Sequence, residues 1–225
     1  IESTNLDSWL HPGQNYSLKI PIHDVNGYGD IHQIRVDMSA ESNENMTITW
    51  SHQNGCISSQ PTIILIDCII DPNTHHFDEY FNLDVSFSFG WDFNPDSSIE
   101  RSIMITSLDD SGQSFSSDTG LVWRYSSEIE IDTESVKFDA SSAYLAPGDN
   151  CLLVADVVWS KGKQPVNTTL EIMAEINEST QYGNSNGGIA TINLSAPNKT
   201  GIHEITLDII NLPVGGIDRT NSQVI

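Results

Sequence analysis

The chain has 225 residues, with 31 Asp and Glu against nine Lys and Arg and a formal net charge of −22. A surface this acidic repels nucleic acid and anionic lipid at ordinary salt, which excludes a nucleic-acid binder and leaves calcium as the ionic partner that the charge permits. Hydrophobic residues make up 38% and charged residues 18%, enough to build cores and too little charge for an acidic disordered tail, and the length favours two domains.

Apolar residues alternate with period 2 along the chain and faces of period 3.6 are absent. The expected class is therefore all-β, with two antiparallel β-sandwich domains in tandem. Strands are expected in the first domain at 16–22, 31–38, 46–51, 62–69, 81–93, 102–108 and 121–131. The clearest is "FNLDVSFSFGWDF", in which Phe81, Leu83, Val85, Phe87, Phe89, Trp91 and Phe93 share one side and Asn, Asp, Ser and Gly the other. That alternation fits a core face; on an exposed face the same aromatics would stack on sugar rings. The longest apolar stretch, "IILIDCII" at 63–70, falls far short of the roughly 20 residues of a membrane helix, so no membrane insertion is expected in this segment.

Acidic loops separate these strands. "DVNGYGD" offers Asp24, Asn26 and Asp30 at the i, i+2, i+6 spacing of a calcium loop and resembles the opening of an EF-type loop. Tyr28 at its fifth position, Arg35 where a bidentate Glu belongs and strands on both sides exclude an EF-hand. Two readings stay open: a hairpin turn built on Asn26-Gly27, or a looser calcium site completed by a second acidic loop. "HHFDE" has ligand types in His75, His76, Asp78 and Glu79 but no zinc spacing, which favours a solvated loop. Asp109 with Asp110, and Asp92 with Asn94 and Asp96, read as turns that could complete a cation site with a neighbouring loop. "GQSFS" at 112–116 lacks the second Gly of a nucleophile elbow, and there is no phosphate-cradling Gly loop, so no catalytic residue is assigned and the chain is read as a non-enzyme.

"DTES" at 132–135 is the expected join, giving domains 1–132 and 133–225. The second domain has expected strands at 135–139, 151–160, 166–176, 189–195 and 203–210. Its closing strand is expected to begin at the terminal "SQVI" and to lie beyond it, and the absence of an initiator Met suggests a piece of a longer protein. Cys56 and Cys68 would close a loop worth about 3 kcal/mol in an oxidising compartment, while Cys151 shares strand parity with Leu153, Ala155, Val157 and Trp159 and is expected in the core. Six Asn-x-Ser/Thr sequons, at Asn15, Asn45, Asn167, Asn177, Asn193 and Asn198, all avoid inward positions, as glycosylation requires and as any polar Asn would also do.

The second half, "YLAPGDNCLLVADVVWSKGKQPVNTTLEIMA" followed by "GGIATINLSAPNKTGIHEITLDI", resembles the immunoglobulin-like repeats of large prokaryotic cell-surface proteins, archaeal ones among them. Pro147, Gly148 and Asp149 match the turn before the second strand, Gly162, Pro165 and Val166 the next turn, and Gly188, Pro197 and Gly201 a later strand and loop. The match covers roughly residues 134–225 and rests on turn chemistry. It implies a second domain of immunoglobulin-like type in a non-catalytic extracellular module, structural or adhesive, whose partners are neighbouring domains of its parent and a surface protein or glycan. The alternatives are a glycan-binding module and an accessory domain of a secreted hydrolase.

Overall fold

A computed structural model describes residues 2–4, 9–40, 44–139 and 145–220. The chain is all-β and divides into two compact units, Ile1–Ser126 and Ser127–Ile225.

The first unit contains β1 (Glu2–Thr4), β2 (Trp9–Leu10), β3 (Tyr16–His23), β4 (Ile31–Ala40), β5 (Thr47–Ser51), β6 (Gly55–Ser58), β7 (Ile63–Ile70), β8 (Tyr80–Phe89), β9 (Arg101–Asp109) and β10 (Ser114–Tyr125). They form a four-stranded sheet, β1-β3-β8-β7, and a six-stranded sheet, β2-β10-β9-β4-β5-β6. Alternation decides which side of each strand is inward: Leu18 and Ile20 on β3 lie opposite Val85 and Leu83 on β8, and all four are buried. Rings fill the space between the sheets. Phe89 stacks on Phe93 at 4.5 Å and on Trp123 at 5.4 Å, and Trp123 Nε1 donates to the Met38 carbonyl at 2.9 Å. Phe81 to Phe89 are thus core, but the strand ends at Phe89. Gly90 starts a turn that brings Phe93 back onto the cluster, with Phe93 N–H donating to Gly90 O, and leaves Trp91 half-buried.

The Cys56–Cys68 disulfide is present, with a Cα–Cα distance of 6.0 Å. β6 and β7 are edge strands of different sheets, so the covalent bond fastens one sheet to the other along a side where no backbone ladder joins them. On the chain-entropy account it adds about 3 kcal/mol.

The second unit contains β11 (Glu128–Asp139), β12 (Asn150–Trp159), β13 (Glu171–Ile176), β14 (Ser179–Asn186), β15 (Ile189–Ser195), β16 (Ile205–Ile209) and β17 (Ile217–Asp218), in the order β16-β13-β14-β15-β12-β11-β17. The sheet curls until its far strands meet: Ile209 N–H of β16 donates to the Asp218 carboxylate of β17 at 3.3 Å. Leu153, Ala155, Val157, Ile172, Ala174, Ile192, Leu194 and Leu207 line the interior. The turn before β12 forms as its residues suggest. Asp149 accepts the Ala146 N–H at 2.9 Å, and Gly148 has φ 83°. Gly188 lies so close to Pro165 that an added Cβ would come within 2.4 Å of the proline Cβ.

Three further expectations change. The strand expected at 121–131 is two strands, the end of β10 and the start of β11, separated at the buried Ser126 and Ser127. The join expected near 133 falls inside β11, where "DTES" marks a bulge. The pairing with β12 shifts between Asp132 and Lys137, and Ser135 Oγ bridges the gap by donating to Asp132 O at 2.6 Å and accepting the Asp156 N–H at 2.7 Å. The expected strand at 166–176 begins only at Glu171, after a turn. The expected closing strand at "SQVI" lies outside the described residues.

Candidate functional site: the loop end of the first unit

Strand order and register gather four connections at one end of the first unit, residues 24–30, 52–54, 71–79 and 110–113, while the chain leaves through Ser126 at the opposite end. Five of the seven histidines, His23, His32, His52, His75 and His76, lie in or beside these loops, making this end the richest in potential ligand groups.

The 24–30 loop is fixed by backbone bonds to the 71–79 loop. Asp24 N–H donates to Glu79 O at 2.9 Å, Tyr28 N–H to Asp78 O at 3.0 Å and Gly29 N–H to His76 O at 2.9 Å. Gly27, at φ 90°, passes so close that an added Cβ would come within 2.7 Å of His76 O, which explains glycine there better than an ion does. Tyr28 opens one turn of 3-10 helix, Tyr28–Asp30. Its ring lies 4.7 Å from His52, 5.2 Å from Phe81, 5.8 Å from Trp50 and 6.4 Å from His76. Burial pushes its hydroxyl pKa up.

The three residues singled out as metal ligands are brought together, but they are engaged with one another. Asp24 Oδ1 accepts the Asn26 N–H at 2.8 Å, and Asn26 Nδ2 donates to Asp30 Oδ2 at 2.9 Å. Their neighbours behave alike. Asp78 Oδ2 accepts the His75 N–H at 2.6 Å, and Asp109 Oδ1 accepts from Gln113 N and Ser111 Oγ, bonds that hold its carboxyl below the usual range. Asp110 faces His32 at 3.2 Å, and the ring of His76 covers Gly29. Among the described residues no three His, Cys, Asp or Glu side chains converge as a metal site would require.

The pattern extends over the chain. Asp24, Asp37, Asp71, Asp96, Asp118, Asp132 and Asp218 each accept the backbone N–H of the residue two positions on, at 2.7–3.1 Å. This is the Asx turn, in which a carboxylate fixes a tight bend.

Other candidates fall into place. All six sequon asparagines are exposed. Cys151 is buried, with its thiol pKa pushed up by desolvation, as a core residue. Trp50, Trp123 and Trp159 are buried, and Trp9 and Trp91 half-buried, so no described Trp offers an open stacking platform. The exposed aromatics of the loop end are Phe77 and Tyr80, the latter stacked on His23 at 4.3 Å. In the second unit a cavity of about 690 Å³ has apolar walls, including Leu145, Cys151, Ile176 and Leu194, with Lys199 and His203 beside them and no carboxylate among its described lining residues. Sequence reasoning missed the grouping of Tyr28, His52 and His76, since three separate loops supply them and no local spacing announces it.

No protein-family model matches the chain, and no curated protein matches it. Among solved structures it is similar to the extracellular portion of mouse CD200RLa, at 9% identity over 90% of this chain and 91% of that one, with a TM-score of 0.29. It is similar to BcpA, the major pilin subunit of Bacillus cereus, at 13% identity over 97% and 68%, with a TM-score of 0.31. A third similarity is to the D00-D0 domain of intimin, at 12% identity over 92% and 98%, with a TM-score of 0.24. At such values these likenesses assign no family and no role, so the functional reading stands on the geometry.

Proposed function

We propose that the chain is a non-catalytic extracellular module of a larger surface protein, in which the first unit presents its loop end away from its connection to the second. The observation that carries this reading is the use made of the aspartates. Seven of them fix bends in loops and at strand irregularities through backbone N–H bonds, Asp24 and Asp96 of the candidate cation loops among them, so these carboxylates are parts of a rigid frame. The disulfide between edge strands serves the same end. Asp24, Asn26 and Asp30 are on this account a self-closed turn that needs no calcium. Exposed Phe77 and Tyr80 favour an adhesive loop end, with a protein or glycan as the surface touched.

The extracellular part of the proposal has a direct test. Peptide mapping of the protein isolated from its own source should find Cys56 linked to Cys68, Cys151 as a free thiol, and glycan on exposed sequons among Asn15, Asn45, Asn167, Asn177, Asn193 and Asn198. Reduced Cys56 and Cys68 together with six bare asparagines would place the chain in a reducing compartment and overturn the reading.

A further inference from the structure

The second unit holds a cavity that the structural role leaves unused. Its volume of about 690 Å³ falls within the roughly 300–1,000 Å³ of small-molecule sites. Strand pairing explains its walls. Cys151 of β12 lies opposite Leu194 of β15, and Ile176 of β13 opposite Ile205 of β16, so the outermost inward residues of four strands meet at one end of the core. Phe138 of β11 and Leu145 add to the lining and are 43% and 36% exposed. Core packing buries the first four and leaves these two apolar side chains open to the cavity and to water.

The chain's acidity stops here. None of its 31 Asp and Glu is among the described lining residues, whereas Lys199 is. Glu178 belongs to an adjoining hollow that shares Lys199, and among the described residues Lys199 forms no ion pair with it or with any other carboxylate. The backbone that carries this lysine is held in place. His203 Nε2 donates to the Lys199 carbonyl at 2.8 Å, and Asn177 Nδ2 donates to His203 Nδ1 at 2.7 Å. Both ring nitrogens are thereby used, and the nearby Ser195 Oγ donates to Asn150 Oδ1 at 2.7 Å. The Lys199 ammonium is left as the charged group at the cavity that has no counter-charge.

We propose that this cavity binds a small amphipathic acid, with an apolar body against the strand-end walls and a single carboxylate on Lys199. The apolar lining rewards a body that leaves water, and one unpaired ammonium takes one anionic head. A chain of net charge −22 attracts cations in general and repels anions. Preference for an acid over a cation of the same length is therefore the signature of this site, since the overall charge works against it.

Cys151 supplies the readout, because it is the unpaired cysteine of the chain and part of the wall. The whole chain is titrated with decanoate, decanol and decyltrimethylammonium at concentrations where each stays monomeric, while alkylation of Cys151 by N-ethylmaleimide is timed and the heat of binding is measured. Decanoate should bind saturably and slow the alkylation. Decanol should bind about tenfold more weakly, as the loss of one hydrogen bond to a charged group implies, and the cation should give no protection. Lys199→Met should weaken decanoate by about tenfold and leave decanol unchanged, which also shows that the variant keeps its cavity. Lys19→Met removes the same charge from the first unit and should alter neither. Alkylation that decanoate leaves unchanged overturns the proposal, as does a cation that protects Cys151 as well as the acid. A Lys199→Met chain that binds decanoate like the parent overturns it too.

Discussion

Replacing Phe89 by Ala should destabilise the first unit by about 3–5 kcal/mol, the range for removing a large ring from a packed core. Phe89 is fully buried, with ring contacts to Phe93, Trp123, Phe87 and Tyr125 at 4.5 to 5.8 Å. Its carbonyl also accepts the Gly13 N–H at 2.9 Å, so the backbone is held and cannot collapse freely into the space left behind. Urea titration would read the loss as a lower midpoint at unchanged slope. Phe115→Ala, at an exposed aromatic of β10, should stay within about 0.5 kcal/mol of the parent. Similar costs at both positions would mean that the ring cluster is not the core.

The second large effect is expected at Glu44. Arg101 is fully buried, and its Nε and Nη2 donate to the two Glu44 carboxylate oxygens at 2.5 and 2.9 Å. Nη1 and Nη2 also donate to the Ile99 and Asp96 carbonyls at 2.9 Å each, and the guanidinium lies 5.3 Å from the Trp123 ring centroid. Glu44→Ala leaves a buried cation without its bidentate partner, which costs about 3–5 kcal/mol. The lower end is expected, because the Glu44 side chain is partly exposed and Asp96 remains nearby. Arg101→Met combined with Glu44→Ala should recover most of the loss, since an apolar chain of similar length needs no counter-charge. Denaturation of the two single variants and the double variant closes that cycle. A double variant as unstable as the sum of the singles would contradict the account.

Much of the fold was legible because burial imposes period 2. β3, β15 and most of β8 alternate between inward apolar and outward polar residues, while β12 alternates in burial only as far as Val157 and carries Leu152 and Val154 on its outer side. β14 carries "STQYGNSN", with a single buried residue, Ser185, so alternation gave no signal there. Its place is set by pairing with β13 and β15 on either side. "DTES" has turn composition but sits in a strand, since a bulge and a linker use the same residues. Arg101 was invisible for another reason: one Arg before an apolar run reads as a strand flank, and only the fold brings Glu44 from 57 positions away. In the 24–30 loop the sequence left turn and cation site open because both use Asp and Asn at the same spacing. The hydrogen bonds that the structure adds, Asn26 N–H to Asp24 Oδ1 and Asn26 Nδ2 to Asp30 Oδ2, are those of a closed turn and are the ground on which the turn is proposed.

The claim that the acidic loops are turns closed by their own backbone is tested most directly by unfolding the whole chain in saturating calcium and in chelator. The account predicts coincident melting curves at matched ionic strength, because Asp24 Oδ1 and Asp30 Oδ2 already close the loop through Asn26 without an ion. A melting temperature that climbs with calcium as RT ln(1 + [L]/Kd) requires, and that falls back in chelator, would contradict it.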